Sequence, residues 1–352
     1  MREPARREVL ALVESLFPGA SLRALAGDAS TRRFYRISLA DGGSRVLMDY
    51  GAPFEGETDD VVLARVFREA GLPVAAIEHE APETGCLVLA DLGDRTLESA
   101  LCDAAAVRDP ARIEILYTAA IDLATAVAVR GSTALARSER AAGPALDAER
   151  FRFEMDFFLE HFAGSLRGVR QSPAGLREAL HALAEAASAG PSRVLCHRDF
   201  HSRNLMVLPD GSLAMVDIQD ARWGPDSYDV ASLLRDAYVD MDDGLAGRML
   251  ERYRRSLAVP PPAEEFAARF RVVAAERMIK VLGTFGYQAA VLGRRGYLAG
   301  VPRTLARLRE SLPAAPETRA VADALERAGL LEEPGSPPTP LPGLTSPRGA
   351  RG

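Results

Sequence analysis

The sequence predicts an α+β fold of two lobes, a small sheet-containing N-terminal lobe followed by a larger, mainly helical C-terminal one. Three observations predict it. Residues 21–50 read as short strands broken by turns, the pattern turns helical from about residue 96 onward, and a single β interruption at 193–218 breaks that helical run. The 352 residues, 47% of them hydrophobic, are enough to bury a sizeable core and suit about two domains.

The opening segment, MREPARREVLALVESLF, carries charge first and then an amphipathic helix with Val9, Leu12, Val13, Leu16 and Phe17 on one stripe. It lacks the long apolar run and small-residue cleavage site of a signal peptide. Three strands follow, SLRALA, RRFYRISL and RVLMDY, the last two joined by the DGGS turn at 41–44. A helix is expected at about 57–70, with Val61, Val62, Ala64, Val66 and Phe67 among its apolar positions, ending near Gly71 and before Pro73. Strands at 73–80 and 85–90 complete this lobe, and LADLGD at 89–94 reads as a hinge. Helices are expected at 111–130, 147–163, 174–188, 227–238, 244–257 and 263–291. The expected division is 1–92, 93–332 and a tail at 333–352 rich in Pro, Gly and Ser, whose composition predicts disorder. No internal repeat is visible.

Charge and cysteine content narrow the function. Acids outnumber bases 49 to 43, giving a net charge of -6, and no basic stripe offsets it, so neither nucleic acid nor an anionic membrane is the expected partner. The apolar stretch Ile113–Val129 is interrupted by Glu114 and Asp122 and reads as a buried helix rather than a membrane span. Cys86, Cys102 and Cys196 are too few and too scattered for a disulfide framework or a zinc site, which points to a reducing compartment and a cytoplasmic enzyme. No protein partner is evident. Lys280 is the one lysine; the other basic residues are arginine.

The chemistry is concentrated in VLCHRDFHSRNLMVLPDGSLAMVDIQD, residues 194–220. Asp210-Gly211 is a hairpin-turn signal between two apolar runs, and a loop of two or four residues centred on it places Asn204 opposite Asp217. Opposed residues on one face have Cβ atoms roughly 4.5–5.5 Å apart, close enough for an amide oxygen and a carboxylate to share magnesium. Asp199, on the loop entering the hairpin, is a third polar group aimed at the same space. Taken singly, each fits an ordinary role: Asp199 capping a turn, Asn204 and Asp217 satisfying backbone groups, His197 packed in a core. Together, His197, Arg198, Asp199 and Asn204 form the H-R-D-x-x-x-x-N pattern of kinase catalytic loops, with Asp217 in the place of the metal-binding aspartate and Ile218-Gln219 replacing the usual Phe-Gly. In that pattern the Asp orients an acceptor hydroxyl and takes its proton, while the Asn and the later Asp hold magnesium on the phosphates of ATP. Upstream, GDASTRRFYRI at 27–37 fits a phosphate-covering loop, with Gly27 for backbone freedom and Ser30 or Thr31 as donors, and equally fits an ordinary tight turn.

These residues resemble the aminoglycoside phosphotransferase and choline kinase superfamily, which has a two-lobed protein-kinase-like fold. More narrowly, GDASTRRFYR, VLMDY, LVLADLGDRTL, CHRDFHSRNLMV and VDIQDARWGPDSYDVASLLRD are similar to the bacterial anomeric kinases that phosphorylate N-acetylmuramate and N-acetylglucosamine at C1 in cell-wall recycling; the similarity runs from about residue 8 to 315. The resemblance implies ATP and Mg2+ as cofactors and a small-molecule sugar as substrate, with 1–92 the nucleotide-binding lobe and 93–332 the catalytic and substrate-binding one. It implies Asp199 as base and Asn204 and Asp217 as magnesium ligands. Gly27, Ser30, Thr31, Arg33, Asp91 and Leu92 would meet the nucleotide, and His201, Arg203, Asp220 and Trp223 the sugar. His197 and Asp229 would support the catalytic loop. Two roles stay open: Trp223 stacks on a pyranose face or merely packs, and Asp229 buttresses the loop or is a first-turn helix acid.

One departure is clear. The strand that bears a phosphate-pairing lysine in many members reads RVLMDY here, with Met48 at that position, and Lys280 lies in a late helix. An arginine from Arg32, Arg33, Arg36 or Arg45 is expected to supply the charge. Two other functions remain in view, a kinase of a cationic acceptor, for which Asp236, Asp240, Asp242 and Asp243 would line the pocket unless they form a solvated helix end, and a nucleotide-binding scaffold without turnover.

Overall fold

Alternation of apolar residues along the N-terminal strands gives the first sheet two buried faces, and a helix covers each. The computed structural model describes residues 5–25, 32–170, 174–312 and 316–332. Gly27, Ser30, Thr31 and the proline-rich tail lie outside the described residues. Helix α1 (Arg7–Leu16) precedes strands β1 (Ser21–Ala24), β2 (Arg33–Ser38) and β3 (Ser44–Asp49). Helix α2 (Asp59–Glu69) follows, then β4 (Ile77–Ala81) and β5 (Cys86–Ala90). The five strands pair antiparallel in the order β1-β2-β3-β5-β4. On one face Val9 and Val13 of α1 pack with Tyr35, Ile37, Leu47, Cys86 and Val88. On the other, Val61 of α2 packs with Met48 and Leu87, flanked by Phe34, Ile77 and Leu89. The period of two sorts these residues: Phe34 pairs with Met48 and Tyr35 with Leu47, so neighbouring pairs face opposite layers.

Chain ends and turns are pinned by side chains. Arg6 binds the buried Asp49 carboxylate, which raises the Arg6 guanidinium above its ordinary range and ties the start of α1 to the end of β3. The β2–β3 turn closes through Leu39 N–H to the Gly43 carbonyl at 2.9 Å, with Gly42 at φ +88.

After the connector come α3 (Leu97–Ala106), capped by Thr96, and α4 (Pro110–Ala126), capped by Asp109 with Pro110 at its first position. A π-helical turn at Val127–Gly131 leads into α5 (Ser132–Arg137). Helices α6 (Ala148–Phe158) and α7 (Leu176–Ser188) precede strands β6 (Arg193–Cys196), β7 (Leu205–Val207), β8 (Leu213–Met215) and β9 (Arg222–Pro225). The chain continues through α8 (Tyr228–Leu234), α9 (Asp243–Ser256), α10 (Ala263–Gly286), α11 (Val301–Ser311) and α12 (Pro316–Arg327). β7 pairs with β8, and β6 with β9.

The chain forms two compact units. One comprises Met1–Pro144, Val194–Leu233 and Met241–Pro260, and therefore holds the sheet, the connector, both short β pairs and α9. The other comprises Ala145–Arg193, Leu234–Asp240 and Pro261–Gly352. Within the second, α10 packs closely on α6 because a methyl at Gly283 would meet the Phe158 backbone at 2.9 Å and one at Gly286 the His161 carbonyl carbon at 2.6 Å. The sheet-rich N-terminal region and largely helical C-terminal region are those of a protein-kinase-like fold, as the sequence predicts. No described helix is long and apolar enough to cross a membrane.

Three local expectations change. The helix expected at 227–238 is confined to Tyr228–Leu234, because Asp236 accepts the Tyr238 amide at 2.8 Å and turns the chain. Strand β9 is four residues long and was not expected. The long helices expected through 130, 163 and 291 persist only by passing into π-helical turns, at Val127–Gly131, Leu159–Leu166 and Tyr287–Val291.

A contrast between two glycines tests the N-terminal sheet. Both Gly42 and Gly85 have positive φ, but a methyl on Gly42 meets nothing within 4 Å, whereas one on Gly85 would overlap the Ala52 carbonyl. Gly42→Ala is expected to cost about 1–2 kcal/mol, and Gly85→Ala about 1–3 kcal/mol more. Denaturant melts of the two variants check this; equal costs would contradict the close approach of Gly85 to the Ala52 carbonyl.

Candidate active site

A buried carboxylate assembles the site from below. Asp229, in the first turn of α8, accepts the backbone N–H groups of His197 at 2.7 Å and Arg198 at 3.0 Å through its two oxygens. Asp229 is thus a loop buttress rather than only a first-turn acid. The clamp holds a strained segment: among the described residues the non-glycine positions with positive φ are Arg108, Arg198 and Asp217, and the last two flank this site. The His197 ring, fully buried, donates from Nε2 to the Val216 carbonyl at 2.9 Å and stands edge-on to Phe67 of α2 and Phe200. One histidine therefore ties the loop to the end of β8 and to the helix beneath the sheet.

The β7–β8 hairpin corrects the expected register. Pairs run Leu205 to Met215, Met206 to Ala214 and Val207 to Leu213, so Asn204 faces Val216, not Asp217. The cause is the loop. Leu208 N–H donates to the Ser212 carbonyl and Gly211, at φ +85, donates to the Leu208 carbonyl, which makes a three-residue loop with a left-handed glycine in place of two or four residues. Val216 N–H donates to the Asn204 carbonyl at 3.0 Å, and Asp217 then leaves the strand direction at φ +63. Asn204 Nδ2 donates to the Asp199 carbonyl at 3.0 Å, so loop and hairpin are joined by the amide itself.

The Asp199 charge is felt at Asp217. Partial desolvation by the surrounding loop raises the Asp217 carboxyl above the usual carboxylate range; a 2.8 Å hydrogen bond from Gln219 opposes this, and the neighbouring Asp199 charge adds to it. Arg32 approaches the same Asp217 oxygen at 3.4 Å. These groups suit a hard divalent cation. With its nitrogen committed to Asp199, Asn204 presents its oxygen as the donor, and Asp217 is a carboxylate whose charge the surroundings disfavour. Among the described residues no group of three His, Cys, Asp or Glu side chains forms a metal site, so phosphate oxygens and water would complete the shell.

The remaining expected residues fall in several places. Asp220 is braced by Arg198 at 3.0 Å and Arg222 at 2.7 Å. Trp223, in β9, donates its indole N–H to the Ala141 carbonyl at 2.9 Å. His201 and Asn204 are linked along the loop, Asn204 N–H to the His201 carbonyl at 3.0 Å, while Arg203 makes a two-pronged pair with Glu98 of α3 at 2.8 and 3.0 Å. In the connector, Asp91 binds Arg36 at 2.6 and 3.0 Å and accepts the Gly93 amide; burial opposes its ionisation, yet these bonds hold its carboxyl below the usual range. Leu92 beside it is half-buried. Arg33 lies opposite Asp49 in the register and so shares the α1 face with Tyr35 and Ile37.

The connector and hairpin are stitched together within this unit. Val207 N–H donates to the Arg95 carbonyl at 2.7 Å, Glu98 N–H to Ser202 at 3.0 Å and Met215 N–H to Pro73 at 2.8 Å. The sequence reading missed Asp60 and Tyr50. Asp60, buried in the first turn of α2, accepts from Arg32 and from the Tyr50 hydroxyl at 2.6 Å, and burial together with that carboxylate pushes the phenol well above its usual range. The available signal was an acidic pair, Asp59-Asp60, opening the helix that follows a strand lacking its lysine.

Comparisons with known proteins point to one family. The sequence profile of the phosphotransferase enzyme family matches residues 21–267. An N-acetylmuramate/N-acetylglucosamine kinase of Pseudomonas aeruginosa is 30% identical over 319 residues, 88% of each chain. A kinase of the same description from Pseudomonas putida is 31% identical, covering 85% of this chain and 86% of its own. The fold matches a choline kinase from Streptococcus pneumoniae with a TM-score of 0.60 at 14% identity, over 88% of this chain and 99% of that one.

Asp229→Ala would leave two loop amides without their acceptor. It is expected to lower turnover by about 10²-fold, the scale on which misplacement by 1 Å acts, and to lower the melting temperature. Turnover within twofold of wild type in a folded variant would contradict the clamp.

Proposed function

The chain belongs to the phosphotransferase enzyme family, and from that premise we propose that it is an ATP-dependent kinase of N-acetylated amino sugars, N-acetylmuramate and N-acetylglucosamine, acting on the anomeric C1 hydroxyl. The reaction class, phosphoryl transfer to a small molecule, comes with the family. The acceptor is carried by one observation: about 30% identity along nearly the whole chain to kinases that bear those sugars in their names. Cell-wall sugar recycling in the cytoplasm is the proposed setting, supported by three cysteines that remain free thiols.

In this reading Asp199 accepts the hydrogen bond of the sugar hydroxyl, orients its lone pair along the line of attack and takes its proton as the new oxygen–phosphorus bond forms and the bond from the γ-phosphorus to the bridging oxygen breaks, with ADP leaving. Asn204 and Asp217 would hold the magnesium, which when bound would neutralise charge on the nucleotide phosphates. Asp229 keeps the His197–Asp199 backbone in place, and His197 couples that backbone to the carbonyl preceding Asp217. His201, Asp220 and Trp223 are proposed to border the sugar, with the connector at Asp91 and Leu92 meeting the adenine through its backbone.

A cationic acceptor is less well supported. Asp240 is paired with Arg303 at 2.6 and 3.0 Å, Asp242 caps α9 through the Leu245 amide, and Asp236 is buried against the Tyr238 amide. Carboxylates so engaged do not line a pocket for an ammonium group.

An ADP-release assay with N-acetylmuramate, N-acetylglucosamine, unacetylated hexosamines, choline and kanamycin is expected to show turnover on the acetylated sugars, with phosphorus NMR placing the phosphate on C1. Turnover confined to choline or kanamycin would reverse the assignment. Asp199→Asn is expected to lower turnover by about 10²–10⁴-fold while MgATP binding persists.

A further inference from the structure

We propose that Arg32, immediately before β2, is the phosphate-facing cation of the nucleotide site and occupies the place left by Met48, with Asp60 as its positioning partner. This deepens the reading of the site as one that binds MgATP, and rests on it.

Met48 pairs with Phe34, and Arg32 immediately precedes β2, two residues before Phe34. Its side chain crosses to Met48, where NH1 lies 3.7 Å from the thioether sulfur. The guanidinium therefore covers the spot over which a longer residue at 48 would extend. From there NH1 bridges both oxygens of Asp60 at 2.7 and 2.8 Å, while NH2 reaches toward Asp217 at 3.4 Å. Asp60 is itself fixed by the Tyr50 hydroxyl and by burial in α2. A cation anchored by a helix carboxylate and directed at the metal-binding aspartate is what a triphosphate at this site requires, and only 12% of the Arg32 side chain is exposed, so water screens it little.

The other arginines weighed from the sequence are differently placed. Arg36 is bound by Asp91 and Asp94, Arg45 by Glu78, and Arg33 belongs to the α1 face. Arg32 also explains how Met48 is accommodated. An apolar residue there packs with Val61 and Leu87 and leaves Asp60 to the arginine, whereas a lysine would compete for the same carboxylate.

Equilibrium binding of MgATP and AMP to the full chain tests this without turnover. Wild type is expected to prefer MgATP. Arg32→Met should weaken MgATP by about 10-fold or more, the scale of a charge-assisted hydrogen bond, with AMP affinity unchanged. Met48→Lys added to Arg32→Met restores a partner for Asp60 and should recover the preference for MgATP; this variant decides the matter if the single one unfolds. A folded Arg32→Met protein that binds MgATP as wild type does, or loses MgATP and AMP alike, overturns the proposal, as does a folded double variant without the preference. Wild type that binds neither nucleotide would instead sink the kinase reading, and this inference with it.

Discussion

Two backbone N–H groups on one buried carboxylate organise the site. The Arg198 backbone occupies a left-handed conformation that costs an ordinary residue about 1–2 kcal/mol, and it is sustained because Asp229 accepts both its amide and that of His197. Once that bend is held, the fate of the next residues follows. Arg198 pairs with Asp220, the His197 ring reaches the Val216 carbonyl, and Asn204 closes on the Asp199 carbonyl. Each bond connects the loop to a different piece of chain, so Asp199 is positioned by several independent restraints rather than by its own contacts alone.

Charge is balanced around the same loop. The Asp199 charge opposes the ionisation of Asp217, and Arg32 stands between Asp217 and Asp60. This is an environment poised for positive charge, which magnesium and an acceptor proton would supply. The N-terminal sheet contributes one strand face to that balance, and α2 contributes both Asp60 and the Phe67 edge that packs on His197. Helix α2 is thus both the cover of the sheet and the counter-ion of the site.

Much of this was legible in the residues. Strands β2 and β3 announced themselves by alternation, and the catalytic loop by its spacing. What was not legible depended on distances set by folding. A single residue in the 209–211 loop, with Gly211 in the left-handed region, moved the hairpin register by one and put Val216 where Asp217 was expected; the left-handed Asp217 then turned the chain toward the site by a route that pairing arithmetic does not contain. That Arg32 rather than Arg33 lies beside Met48 depends on a register that becomes fixed only once Phe34 is paired with Met48 and Arg33 with Asp49. The link between Glu98 and Arg203 joins residues 105 positions apart, so no local pattern announced it.

The positions of the metal and the phosphates are the most direct test of this site. A crystal structure with Mg2+ and a non-hydrolysable ATP analogue is predicted to show the ion held by the Asn204 amide oxygen and the Asp217 carboxylate, and Asp199 facing the γ-phosphate across an open space. An ion or phosphate chain seated away from Asn204 and Asp217 would contradict it.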